Sequence, residues 1–148
     1  MGYLIDSPEA RRPLAMTLLA ALYLFFLLVS ASTFGNPFPF LGHIYNGTPA
    51  KFLVLIDSLC CLYLVLGLMK QQLHTWYLVL GYNLLQIGNT IFNLNFISLQ
   101  ELESITGGLV DRETLWINNM VAALGMLLLT QYIFRHKEYF PNTNRYLV

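Results

Sequence analysis

Four long apolar runs, separated by short polar or proline-bearing stretches, organise the sequence: Pro13 to Thr33, Ala50 to Met69, Thr75 to Ile97 and Leu115 to Phe134. A helix needs about 20 apolar residues to cross a hydrocarbon core of about 30 Å, and each run has that length. Strands of a membrane barrel would instead show short segments of alternating polarity. The pattern predicts an all-α integral membrane protein, a bundle of four transmembrane helices, with residues 1–148 forming a single four-span domain.

Composition and charge add an orientation. Only 11% of residues are charged and 56% are hydrophobic, whereas about a quarter of a soluble domain is charged. The charges gather between the runs, where Lys and Arg set topology. Arg11, Arg12, Lys70, Arg135, Lys137 and Arg145 fall on one side, against Lys51 and Arg112 on the other. Both termini are therefore expected in the cytoplasm. The first run follows Arg11-Arg12 and precedes Ser30-Ala31-Ser32. It is still longer than the apolar region of a cleaved signal, about 7–15 residues, so it is expected to be retained. Compactness and short termini point to a bacterial cytoplasmic membrane. Eight basic and eight acidic residues leave no basic face for nucleic acid.

The most informative residue is Asp57, inside the second run. An ionisable group there is costly in lipid, and such groups usually face a protein interior and mark a site. The third run carries the matching feature. At about 100° per residue, Asn83, Gln86, Asn89, Thr90 and Asn93 fall in one stripe roughly 120° wide. Gly81 and Gly88 lie on another face, where they are expected to let a neighbouring helix approach. Asp57 lies roughly 10 Å below the outer end of its span, level with Asn89 and Thr90. Asn118 and Asn119 enter the fourth run from the same side, near the level of Asn93. Polar groups thus collect in the outer half.

The loops carry weaker signals. Pro37, Pro39, Pro49, Gly35, Gly42 and Gly47 preclude a long helix in loop one, yet Phe34, Phe38, Phe40, Leu41, Ile44 and Tyr45 suit water poorly. That segment either lies along the outer interface, where aromatic residues concentrate, or folds over the bundle as a lid. Histidine is the side chain most easily titrated near neutral pH, and His43 in this loop gains a role if it comes down onto Asp57. Ser98-Leu99-Gln100-Glu101 has capping-box spacing and predicts a short helix over Leu99 to Ile105, stopped by Gly107-Gly108. Asp111 reads as the N-cap of the fourth span. Asn46-Gly47-Thr48 matches a glycosylation acceptor but lies too near the second span for a glycan. The tail after Arg135 is expected in the cytoplasm or against the inner interface.

Adjacent Cys60 and Cys61 cannot supply the spaced pair of a thiol–disulfide or zinc site and read as packing residues. The sequence shows no nucleophile–base pair, metal-ligand set or phosphate-binding loop, and it names no cofactor. Catalysis by Asp57 as a general base is the weaker reading. Ser58 points about 100° away on the helix, which makes it a poor partner. A proton path would need titratable groups through the inner half, where there are none.

Three readings remain. The amides and Asp57 lock the bundle by interhelical hydrogen bonds. Or they line an outer-half pocket for a small lipophilic or amphiphilic ligand such as a lipid or quinone, with Asp57, Gln86, Asn89, Asn93, Asn118 and His43 as its contacts. Or the polar face meets another membrane protein or a second copy, making the chain an accessory subunit of a larger complex. The ligand-binding reading, without catalysis, is preferred. The outline of four spans, one acid early in the second and a Leu66-Gly67-Leu68 ending is similar to small DoxX-like membrane proteins. No activity or residue role is carried over from that likeness.

Overall fold

Pro13 opens the first helix at φ −53°, a conformation its ring already imposes and a position where its missing N–H costs nothing. The computed structural model describes residues 13–144. Arg11, Arg12 and Arg145, three of the cations behind the expected orientation, lie outside the described residues. Five α-helices occur in this range: α1 (Leu14–Ser32), α2 (Gly47–Met69), α3 (Leu73–Phe96), α4 (Leu99–Thr106) and α5 (Arg112–Arg135). Of these, α1, α2 and α5 are long and apolar enough to cross a membrane. The 24-residue α3 matches them in length, but its amide stripe lowers its hydropathy.

The most extensive interfaces join α1 to α2 and α3 to α5, with a slighter one between α2 and α3. The core lies toward the end marked by Pro13, Met69 and Arg135. There Met16, Leu19 and Tyr23 of α1, Leu64 and Leu68 of α2, Trp76 and Val79 of α3 and Ile133 of α5 are buried together. The Trp76 indole N–H donates to the Ile133 carbonyl at 2.9 Å, so the ring is buried without an orphaned donor. The polypeptide beyond α5 closes this end. A short 3-10 turn (Lys137–Tyr139) leads to buried Phe140. Asn142 then exchanges main-chain hydrogen bonds with the α2–α3 turn, accepting from Leu73 at 2.7 Å and donating to Gln71 at 3.1 Å.

Close helix approach falls at a different glycine from those expected. A Cβ on Gly81 or Gly88 would meet nothing within 4 Å, whereas one on Gly67 would collide with the Thr75 side chain. Gly67 and Thr75 flank the tight α2–α3 turn, and that turn is where the backbones come near.

Loop one is an antiparallel hairpin, β1 (Phe38–Phe40) and β2 (His43–Tyr45), with Phe40 opposite His43. Leu41 and Gly42 form its two-residue turn with φ of +47° and +83°. Positive φ at both central positions is the type I′ signature, whose twist matches that of the strands. The connection between α3 and α5 follows the sequence closely. Ser98 and Glu101 complete the capping box, Gly107 ends α4 in the left-handed conformation, and the Asp111 carboxylate caps α5.

Candidate functional site

Asp57 is half-buried on α2, one helix turn beyond buried Val54. Two neighbouring helices supply donors to it. From α1, the Ser30 hydroxyl donates to Oδ2 at 2.6 Å. From α3, the Tyr82 hydroxyl donates to Oδ1 at 2.9 Å and Gln86 Nε2 donates to the same oxygen at 3.0 Å. Tyr82 and Gln86 are four residues apart and so share one face of α3. Ser58 extends the network by donating to the Ser30 hydroxyl at 3.2 Å. The Cys61 sulfur lies 3.1 Å from the Tyr82 hydroxyl. All three donors to the carboxylate are neutral.

Two turns before Ser30 on α1, the buried Tyr23 hydroxyl donates to Asn83 Oδ1. The other end of this amide is unusual. Asn83 Nδ2 is buried and has no hydrogen-bond partner among the described residues, a state that ordinarily costs about 1–3 kcal/mol.

Asp57 opens on a cavity of about 340 Å³. Ser30, Tyr82, Gln86, Asn89, Thr90 and Asn93 form its polar side. The apolar side comes from Phe26 and Val29 of α1, Phe38 and Pro39 of the hairpin, and Ala122, Ala123 and Met126 of α5. Asp57 is the one charged residue in the lining among the described residues. A second, apolar space of about 520 Å³ lies between α2 and α3, bordered by Ile56, Leu59, Tyr63, Tyr77, Leu78 and Leu85 among others. Tyr82 borders both spaces.

The hairpin roofs the cavity because α3 holds its tip. Asn89 Oδ1 accepts the Leu41 amide at 2.7 Å, and Asn93 Oδ1 accepts the Gly42 amide at 2.8 Å. Asn93 Nδ2 returns a longer bond of 3.4 Å to the Pro39 carbonyl. Gly42 is pressed close to α3, where a Cβ would stand 2.6 Å from Phe96 Cβ.

Asp57, Gln86, Asn89 and Asn93 thus surround one cavity, but with divided tasks. Gln86 serves the carboxylate, whereas the oxygens of Asn89 and Asn93 are engaged by the hairpin. His43 and Asn118 are exposed and stand outside the lining. His43 lies just past the hairpin tip opposite Phe40, and α5 presents its Ala122, Ala123 and Met126 face to the cavity instead. Neighbouring Asn119 turns its Nδ2 to its own helix, donating to the Leu115 carbonyl at 2.8 Å.

Ser30 and Tyr82, two of the three direct donors to the carboxylate, are absent from the sequence-based set of contacts. The signal for Tyr82 was its spacing of four from Gln86. No group of three or more metal-ligating side chains occurs among the described residues. No family model, curated protein or solved structure matches the chain.

Proposed function

We propose that the chain is a four-span membrane protein, both termini cytoplasmic, that binds a small lipophilic or amphiphilic molecule in its outer-half cavity without transforming it. The exposed positions of α3 support a fourth span. Leu78, Leu84, Leu85, Ile91 and Phe92 face outward, while Asn83 and Gln86 bond to groups on α1 and α2. Amides turned inward and leucines turned outward suit a helix surrounded by lipid on one side and protein on the other.

The observation that carries the binding reading is the cavity itself. Its volume of about 340 Å³ falls within the roughly 300–1,000 Å³ of small-molecule sites, which pair apolar walls with a few convergent polar groups. The bundle-locking reading accounts for the carboxylate's three hydrogen bonds but not for space left beside them. Native mass spectrometry of the protein released from lipid nanodiscs tests the proposal. A retained small molecule, lost on Asp57→Asn while the fold persists, is the expected result. A stoichiometric protein partner with no small molecule would replace this reading with that of an accessory subunit.

A further inference from the structure

The character of the ligand follows from which groups line the cavity and which are missing. Among the described residues, every cavity-facing charge belongs to Asp57, and no Lys, Arg or His shares the lining. An anionic headgroup would meet a like charge with no base to receive it. A quinone or ester, whose head offers acceptors only, would set oxygen against carboxylate. Its best donors are also committed, since the Tyr82 and Gln86 donors and the Ser30 hydroxyl already point at Asp57.

The carboxylate itself has capacity left. Two oxygens accept in about four directions, and among the described residues three are filled: two on Oδ1 and one on Oδ2. A ligand that donates completes the set. A cationic donor gains most, because attraction between opposite charges is strongest where water is scarce. The rings of Phe26, Phe38 and Tyr82 line the same space, and aromatic faces also attract cations. The volume of about 340 Å³ suits one compact apolar group inside the cavity.

We infer that the cavity takes a lipophilic amine, with its ammonium paired to Asp57 and its apolar body against Val29, Ala123 and Met126. This rests on the reading of the cavity as a ligand site, and it assigns the chemical class of that ligand.

The test compares three probes of matched shape on the purified protein in a non-ionic detergent at neutral pH: phenylbutylamine, phenylbutanol and phenylbutyrate. Saturable binding is read by ligand-observed NMR. The amine is expected to bind at least about tenfold more tightly than the alcohol, a difference of about 1.4 kcal/mol, and the carboxylate is expected not to saturate. Asp57→Asn is expected to bring the amine and alcohol to equal affinity. Ser30→Ala, which keeps the charge, is expected to preserve the amine preference. Should Asp57→Asn fail to fold, the probe series on the unaltered protein decides alone. Equal binding of amine and alcohol, or tightest binding of the carboxylate, would overturn the amine assignment while leaving a lipophile site standing. Saturation by none of the three would overturn the assignment and the ligand-site reading together.

Discussion

The Tyr82 hydroxyl on α3 donates to Asp57 Oδ1 on α2 at 2.9 Å, and the same residue borders both the polar cavity and the apolar groove between those helices. Tyr82→Phe keeps the ring and removes the donor. Hydrogen bonds to charged groups contribute about 1.5–3 kcal/mol in soluble proteins, but polar contacts between membrane helices average about 0.6 kcal/mol. With Gln86 still on the same oxygen, a loss near 1 kcal/mol is expected in reversible unfolding from mixed micelles. Tyr82→Ala should cost distinctly more, because it also removes the ring.

Gly42→Ala is expected to loosen the hairpin. The position has φ of +83° and its new Cβ would stand 2.6 Å from Phe96 Cβ. Strained backbone of this kind costs about 1–3 kcal/mol, before the collision is counted. Phe96→Ala should not rescue it, since alanine retains the atom that is struck. Hydrogen exchange at the Leu41 and Gly42 amides reports the outcome, with protection falling in the single and the double variant alike.

Tyr23 and Asn83 form a buried pair whose removal should be non-additive. Tyr23→Phe strands the Asn83 oxygen beside an amide nitrogen already without a partner, and Asn83→Leu strands the Tyr23 hydroxyl. Each single change is expected to cost about 1–3 kcal/mol, while replacing both partners by apolar groups removes every stranded atom. The double variant should therefore be more stable than the worse single one. A thermodynamic cycle from denaturant unfolding gives the coupling.

Asp111 makes the start of α5 acid-sensitive. The Thr114 hydroxyl, then the Thr114 amide, hold its carboxyl below the ordinary value of 3.8. A group depressed on folding adds stability above its unfolded pKa and loses that stability as pH falls through the folded one. Protection of the Thr114 amide, taken relative to its intrinsic exchange rate at each pH, should hence fall below about pH 4. Asp111→Asn, which caps without titrating, should flatten that dependence.

The long elements were legible because their signals are local and repeated. Each apolar run became a helix with ends within about three residues of those expected, and Ser98, Glu101, Gly107 and Asp111 ended their elements by chemistry written within one turn. The hairpin was hidden for the opposite reason. A type I′ turn is ordinarily announced by Asn-Gly, and here Leu41 occupies the first position. What compensates is the Asn89 oxygen, 48 positions away in sequence.

The site was half legible. The amide stripe and Asp57 could be placed at a common depth by counting turns. Counting reads backbone height, however, and long side chains reach past it. Gln86 and Tyr82 meet the carboxylate, whereas the level partner Asn89 turns to the hairpin. Depth along the helix suggests Asn118, and the loop suggests His43 only if it folds onto Asp57; both are exposed and lie outside the lining.

Because α3 grips the hairpin tip through main-chain N–H groups, the identity of the side chain at Leu41 is invisible to the clasp. Relatives of this chain could then vary position 41 among residues that carry an N–H and accept a positive φ, while positions 89 and 93 are confined to short side chains bearing an oxygen acceptor. Evolution can repaint the roof without touching its fastenings.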